Sequence, residues 1–175
     1  MNIFILDKDI HKSAQYHCDK HVTKMIIETA QIISYAFYRR GITFIGQYKY
    51  NQTYINHPCS VWASLSGENI RYLCNLGHQL YNEYCHRYWK QSNDKYSSCK
   101  KVFDTGYKRS FLIETGVLTP FAQAIPDDLK NIDAVQAYRD YYMKNKQHLL
   151  TYTNREVPEW LTLNGLGKHV IREKR

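Results

Sequence analysis

The sequence predicts a mainly α protein, a single irregular helical domain with two or three long helices and at most a small β element. Apolar residues recur at helical spacing in long segments, whereas alternating, strand-like segments are short. The length of 175 residues suits one domain, and no Ser/Gly-rich linker or internal repeat divides the chain. We therefore expect one domain over 1–175, with a core over about 1–160 and a flexible basic tail over 161–175.

The first long helix is predicted from about Asp9 to Arg40, after a short apolar strand or extended lead-in over residues 1–6. Gly41 is its expected stop, because glycine readily adopts the left-handed conformation that ends helices. Residues 42–55 alternate between aromatic and polar types and predict a small hairpin or an irregular loop. The core face of the helix is formed by Val22, Met25, Ile26, Thr29, Ile33, Ala36 and Phe37.

The remaining helices follow from start signals and periodicity. Asn56-His57-Pro58 predicts the start of a short helix, since proline is favoured in the first helical turn. The second long helix is expected from about Glu68 to Lys90, and residues 91–115 are predicted to be mainly loop because they are polar and basic. A third helix is predicted over about 134–152, with Asp133 as its N-cap.

The charge and the tyrosines indicate a nucleic-acid partner, without distinguishing DNA from RNA. Lys and Arg total 24 against 16 Asp and Glu, which gives a formal net charge of +8. Such a balance favours polyanionic partners. Several of the 16 tyrosines stand beside basic residues, as in Tyr38-Arg39-Arg40, where rings can stack on bases. Buried tyrosines at the edge of a core are the alternative, and the oligomeric state is not predicted.

The cysteines and the hydropathy define the expected compartment. Five cysteines without a Cys-x-x-Cys pair argue against a disulfide framework and against a zinc ribbon. The first apolar stretch is interrupted at Asp7, and no window approaches the 18 apolar residues of a membrane span. We expect no membrane partner and a cytoplasmic location, which is the host cytoplasm if the protein is phage-encoded.

A polar stripe on the first predicted helix is the main candidate for function. Its members are His17, His21, Lys24, Glu28 and Gln31. At about 100° per residue, their spacing of four, three, four and three places them within an arc of about 80°. A Glu one turn from a Lys is held ionised and, in a closed cleft, can act as an acid or base. Histidines can bind phosphate or shuttle protons. A solvated helix face is the alternative.

The same two histidines raise the possibility of zinc. His17 and His21 stand at i and i+4, a spacing found in helical zinc sites. The glutamate that usually lies between such histidines is missing, and a lysine inside the site is unfavourable. We therefore expect no metal and no cofactor, with a zinc site as the competing interpretation.

Two further clusters are candidates for lining the same cleft or for contacting phosphates. The first follows a His-Pro turn and includes Trp62, which we expect in the core. The second lies on the third predicted helix and presents aromatic and basic side chains on one face, as a base platform or a solvated edge. The members are His57, Asn69 and Arg71 in the first cluster, and Tyr138, Arg139, Tyr142 and Lys146 in the second.

Three segments carry a resemblance to known families. They are His17-Cys18-Asp19-Lys20-His21-Val22-x-Lys24-Met25-x-x-Glu28-Thr29-Ala30-Gln31, Asn56-His57-Pro58-x-x-x-Trp62 and Tyr138-Arg139-x-Tyr141-Tyr142. Through them the chain resembles a small family of phage-type proteins. More distantly, it is similar to the pyrimidine-dimer DNA glycosylases of phages and bacteria, of the endonuclease V type. The shared features are a short apolar start, a His seven residues before a Glu, and a His-Pro motif.

This resemblance implies a DNA N-glycosylase/AP lyase acting on a damaged or modified pyrimidine. The terminal amine, here on Met1, would attack the sugar C1′ to form a Schiff base, and Glu28 would be the acid/base. The base would be flipped out of the helix. From the polar stripe we also expect His21 and Lys24 among the catalytic residues. From the stripe and the two clusters, the expected substrate contacts are His17, Lys20, Gln31, His57, Asn69, Arg71, Tyr138, Arg139, Tyr142 and Lys146.

One departure concerns the amine itself. Asn2 is not a small residue, so we expect Met1 to be retained and the amine to sit on a bulky side chain. Lys20 or Lys24 is then an alternative nucleophile, because neighbouring cations increase the free-amine fraction of a lysine. The third alternative is that the chain lacks lyase chemistry.

Two other functions are open at this stage. A non-catalytic phage protein that binds nucleic acid or nucleotides and counters host defence would use the same basic and aromatic surface. It would bind in a salt-dependent manner without forming a covalent product. Another base- or nucleotide-modifying enzyme could use the same polar stripe.

Overall fold

The computed structural model describes residues 1–43, 54–90, 95–114 and 116–173. Within these ranges the protein forms seven α-helices and one two-stranded parallel sheet, which confirms the mainly α class. The helices are α1 (Ile10–Tyr16), α2 (Asp19–Arg39), α3 (Pro58–Ala63), α4 (Gly67–Tyr88), α5 (Ser97–Arg109), α6 (Ala134–Asn145) and α7 (Glu159–Thr162). The strands are β1 (Thr151–Thr153) and β2 (Lys168–Val170). No helix in the described ranges is both long enough and apolar enough to span a membrane.

The predicted helix from Asp9 to Arg40 is broken in two, so the expectation of one continuous helix was wrong. His17 ends α1 with extended backbone angles (φ −65°, ψ 134°), and Cys18 is the N-cap of α2. The break leaves the carbonyl of Gln15 free to accept a hydrogen bond of 2.8 Å from the buried Arg87 guanidinium. This contact between distant parts of the chain stabilises the break, although the spacing of apolar residues alone predicts a continuous helix.

Other helix boundaries follow the local signals. α2 ends at Arg39, and Gly41 has a φ of 68°, as expected for a helix stop. Ser66 caps α4 by accepting a hydrogen bond from the backbone N–H of Glu68 at 3.1 Å, and the extent of α4 confirms the second long helix. Asp133 caps α6 as predicted. The predicted hairpin or loop over residues 42–55 falls largely outside the described residues.

α5 was not predicted, because its sequence is dominated by polar and basic residues. α2, α4 and α5 nevertheless pack on one another through the main core. The buried face of α5 consists of Cys99, Val102, Phe103 and Gly106. The close approach of α4 requires glycine at position 77, since a Cβ there would lie 2.5 Å from Phe103 Cζ. The expectation of a mainly loop segment over 91–115 was therefore wrong for Ser97–Arg109.

The C-terminal third returns to the N-terminal half. The third predicted helix ends at Asn145 instead of Tyr152, because residues 151–153 form β1. β1 pairs in parallel with β2, so residues 168–170 of the basic tail are attached to the fold. Leu161 of α7 is fully buried.

A buried ion network fixes β1 against α2 and α4. Arg87 has no exposed surface, and its guanidinium donates to Glu83 Oε1 at 2.6 Å and to Asp19 Oδ1 at 2.8 Å. Arg155 donates to both carboxylate oxygens of Glu83. The backbone N–H and the hydroxyl of Thr153 donate to the two oxygens of Asp19. Each buried charge therefore has charged or hydrogen-bonding partners, as burial requires.

Candidate functional site

The first six residues form a buried, extended segment that leads to the middle of α2. Residues 3–6 are each at most 5% exposed. The Phe4 ring stacks on His21 of α2 with a centroid distance of 4.5 Å. Arg139 of α6 donates to the carbonyl of Leu6 at 2.8 Å and pairs with Asp7 at 3.0 Å. The segment is thus held between α2 and α6, and it brings residues 1 and 2 to Glu28.

Glu28 is the centre of this arrangement. The residue is only 8% exposed, although it carries a carboxylate. Its Oε1 lies 3.1 Å from the ammonium of Lys24, whose side chain is 66% exposed. Its Oε2 accepts a hydrogen bond from the backbone N–H of Asn2 at 3.2 Å. A nearly buried carboxylate with a donor on each oxygen is fixed in orientation, and from that position it can exchange a proton with an adjacent reactant.

The terminal amine and the Glu28 carboxylate both lie within electrostatic range of His57. His57 is the N-cap of α3, and its Nδ1 accepts from the backbone N–H of Cys59 at 3.2 Å. Burial lowers the pKa of His57, the positive terminal amine lowers it further, and the Glu28 carboxylate acts in the opposite direction. The structure therefore brings together the amine of residue 1, the Glu28 carboxylate and the His57 imidazole, which the sequence had placed in three separate segments.

Asn2 is a site residue that the sequence interpretation missed. Its side-chain Nδ2 donates to the carbonyl of Ala124 at 3.0 Å. Its Oδ1 lies 2.6 Å from the hydroxyl of Tyr138 and accepts from the backbone N–H of Ile3 at 2.9 Å. The position of Asn2 directly after residue 1 was the available signal, because its side-chain partners Ala124 and Tyr138 lie more than 100 residues away.

The two stripe histidines are buried and neutral, which corrects their predicted roles as phosphate ligands or proton shuttles. Burial lowers the pKa of His17 to about 4 and that of His21 to about 3. His21 Nδ1 lies 2.5 Å from the Tyr142 hydroxyl, and His17 Nδ1 lies 2.7 Å from the Ser13 carbonyl oxygen. The zinc interpretation requires both histidines at i and i+4 of one helix. His17 precedes α2 and His21 lies within it, so this requirement is not met.

These two histidines predict a specific loss of stability in acid. Their folded pKa values lie below the ordinary value of 6.5, so between pH 6.5 and about 4 the unfolded chain binds more protons. Above pH 6.5 the free energy of unfolding is not reduced by these histidines. Below pH 6.5 we expect it to fall by roughly 1.4 kcal/mol per pH unit for each histidine. Urea unfolding between pH 7.5 and 4.5 measures this slope.

The matched variants are His17→Asn, which keeps a side-chain N–H donor for the Ser13 carbonyl, and His169→Asn on the exposed surface of β2. We expect His17→Asn to reduce the slope of the unfolding free energy against pH by the equivalent of about one proton bound on unfolding. His169→Asn should leave this slope unchanged. An unchanged slope in His17→Asn would show that His17 is not the buried neutral group described.

Three further predicted substrate contacts point into the protein. Tyr138 and Tyr142 have no exposed surface, so their rings cannot stack on a base in this structure. Asn69 is also fully buried, and its amide bonds to the Trp62 carbonyl and to Thr119. The prediction of direct DNA contacts by these residues is therefore corrected. Trp62 itself is 3% exposed and lies in the core, as expected.

The other predicted contacts remain on or near the surface. Lys20 is exposed and Gln31 is half-buried, both on α2. Lys146 lies over the Tyr141 ring at 4.9 Å and, with Lys24, contributes positive charge at His21. Arg71 pairs with Glu68 at 2.7 Å, while Arg139 is bound to the N-terminal segment. Lys24 is thus a cation beside Glu28, whereas Lys146 is a cation near His21.

A separate concavity of about 680 Å³ lies between the end of α1 and residues 154–162. Its polar groups are largely engaged within the protein, since Arg155 binds Glu83 and the Asn154 side chain binds the carbonyl of Arg87. Glu28 does not line this concavity. The chemistry available to the chain therefore centres on Glu28 and the terminal amine.

Comparison with known proteins relates the chain to one described family. A family model described as pyrimidine dimer DNA glycosylase matches residues 1–97, more than half of the 175 residues. No curated protein and no solved structure matches the chain significantly. The matched region includes Glu28 and His57, whereas Ala124 and Tyr138, which hold Asn2, lie beyond it.

Proposed function

The chain belongs to the pyrimidine dimer DNA glycosylase family, and from this we propose that it is a DNA N-glycosylase with AP lyase activity, acting on a damaged or modified pyrimidine. The observation that carries the proposal is the position of Glu28. Its nearly buried carboxylate binds the backbone N–H of Asn2, and the amine of Met1 is one peptide unit away. A nucleophilic amine beside an acid/base is the pair that this chemistry requires.

The proposed reaction uses the terminal amine as the nucleophile. Its nitrogen forms a bond to the sugar C1′ while the bond from C1′ to the base breaks, and the base leaves with the electron pair of that bond. Glu28 then transfers the proton released by the amine to the ring oxygen O4′, so that the sugar opens to a Schiff base. At an abasic site the same amine condenses with the sugar aldehyde and releases water. In the lyase step a base removes a proton from C2′, and the C3′–O bond breaks with its electron pair leaving on the 3′ phosphate oxygen. Hydrolysis of the remaining Schiff base regenerates the amine.

The surrounding cations suit a phosphate backbone. We assign phosphate contacts to Lys20, Lys24 and Lys146, which have exposed or half-exposed side chains. Gln31 and His57 contact the DNA near Glu28 in this proposal. Arg71 contributes from its half-exposed position, and Arg139 acts mainly by holding the N-terminal segment. Each lysine that neutralises a phosphate contributes about −0.9 to the slope of log binding constant against log salt.

Borohydride trapping on a duplex with one abasic site tests the proposal. We expect a covalent adduct with the wild-type protein, and peptide mass mapping is expected to place it on the amine of Met1. An adduct on Lys20, on Lys24 or on a chain that begins at Asn2 would keep the lyase assignment and move the nucleophile. A variant with one extra residue before Met1 is the matched control, because it displaces the amine from Glu28.

The outcomes separate the competing functions. Adduct formation that depends on the position of the terminal amine supports the glycosylase/lyase assignment. Tight, salt-sensitive binding without any adduct would contradict the lyase assignment and favour a nucleic-acid binder. Release of the base from damaged DNA without an adduct would restrict the function to a glycosylase that uses water.

A further inference from the structure

We propose that Asn2 and Tyr138 are positioning residues that hold the terminal amine against Glu28. This inference rests on the proposed function and adds to it two residues that do not touch the substrate. Asn2 is 8% exposed and Tyr138 has no exposed surface. The two side chains meet at a distance of 2.6 Å, although they are 136 residues apart in the sequence.

Asn2 is held from several directions. The hydroxyl of Tyr138 lies within hydrogen-bond distance of both Asn2 Oδ1 and the Ala122 carbonyl, so its single proton serves one of them at a time. The Nδ2 of Asn2 donates to the Ala124 carbonyl at 3.0 Å. The Sγ of Cys59, from α3, lies 3.8 Å from Asn2 Oδ1. Three separate parts of the fold therefore contact one amide side chain.

The backbone of Asn2 faces the reacting groups. Its N–H donates to Glu28 Oε2 at 3.2 Å, and the nitrogen of Met1 precedes it by one residue. Because a residue has only two soft backbone torsions, a fixed Asn2 leaves the amine little freedom. If the side chain at position 2 lost its partners, the backbone there would become mobile. The amine would then no longer be held in place, and the hydrogen bond from the backbone N–H to Glu28 would be weakened. Correct orientation of reacting groups accelerates a reaction strongly, and a misplacement of about 1 Å can lower the rate about 100-fold.

Tyr138→Phe is the first test, because it removes only the hydroxyl and keeps the buried ring. We expect the rate constant of adduct formation at saturating protein to fall about 10-fold or more. The affinity for the abasic duplex should stay within about twofold, since Tyr138 is not on the surface. The matched control is Tyr152→Phe. Tyr152 is also fully buried and donates its hydroxyl to a backbone carbonyl, that of Tyr16, at 3.0 Å.

The control separates positioning from stability. Each Tyr→Phe change removes one buried hydrogen bond, so both variants should lose a similar amount of stability in urea unfolding. Only Tyr138→Phe should lose the rate of adduct formation. Equal rates in Tyr138→Phe and wild type, or an equal rate loss in Tyr152→Phe, would overturn the positioning role.

Asn2→Asp and Asn2→Leu provide a second, independent measurement. Neither residue is small, so both should retain Met1, and intact mass confirms this. In Asn2→Asp, the added carboxylate beside the amine favours its protonated form, so the rate profile is expected to move to higher pH. Asn2→Leu should lower the rate constant of adduct formation about 100-fold without shifting the pH profile. A Leu variant with the wild-type rate would contradict the proposal.

The failure of this inference is distinguishable from the failure of the proposed function. If the wild-type protein forms no adduct, the amine chemistry fails and the positioning role fails with it. If the wild-type protein forms the adduct and Tyr138→Phe and Asn2→Leu form it equally fast, the amine chemistry stands and the positioning role alone is refuted.

Discussion

Glu28→Gln is expected to lower the single-turnover rate constant on an abasic duplex at least about 100-fold, because the amide cannot exchange a proton with the amine or the sugar. The affinity for the duplex should change by less than about threefold. Glutamine has the shape of glutamate, and its carbonyl can still accept from the backbone N–H of Asn2. Quench-flow trapping with borohydride measures the rate, and fluorescence anisotropy measures the affinity.

The fold should tolerate this change. The pair that is lost joins Glu28 to the largely exposed Lys24, and such pairs contribute about 0–1 kcal/mol. Glu114→Gln is the matched control, since Glu114 forms an exposed ion pair with Arg40 at 3.5 Å. It should retain the full rate. Full activity in Glu28→Gln would exclude Glu28 as the acid/base, whatever the fate of the amine assignment.

Arg87→Met is expected to cause the largest loss of stability, about 3–5 kcal/mol in the free energy of unfolding. The substitution leaves the buried carboxylates of Glu83 and Asp19 without their shared cation. Arg155 and Thr153 compensate for part of this loss, because they retain their own bonds to these carboxylates. For a chain of this size the melting temperature should fall by roughly 6–20 °C.

Lys130→Met is the control for Arg87→Met. Lys130 pairs with Asp127 at 2.6 Å, but both side chains are substantially exposed, so we expect a loss below about 1 kcal/mol. Urea unfolding of both variants at pH 7 makes the comparison. A loss near 1 kcal/mol in Arg87→Met would show that the methionine side chain and relaxation of the network offset the broken pairs.

The helices were predictable where the sequence repeats apolar residues on one face and marks the ends. α2, α4 and α6 satisfy both conditions through residues such as Gly41, Ser66 and Asp133. α5 was missed because only four of its residues are buried and the others give it the composition of a loop. The break before Cys18 was missed because Arg87, which stabilises it, is 72 residues from its partner Gln15.

The candidate site was predictable only in part, for a related reason. Short motifs identified Glu28 and His57, because acid/base chemistry restricts the residue types that can perform it. The same motifs placed Tyr138 and Tyr142 on a surface, although both are buried. A tyrosine beside a basic residue has the same local sequence in either position. Contacts with Asn2 and His21, more than 100 residues away, hold these rings inside the protein.

The long reach of these contacts has a consequence for how the protein is made. The segment that holds Asn2 is translated before α6, yet Tyr138 and Tyr142, the α6 partners of Asn2 and His21, lie 136 and 121 residues further along. The site can therefore assemble only after α6 has been synthesised, and long-range closure of this kind slows folding. Residues 3–6 are apolar and unprotected in the meantime. A nascent chain that stalls before α6 would expose them, and it would contain Glu28 without the structure that places an amine beside it.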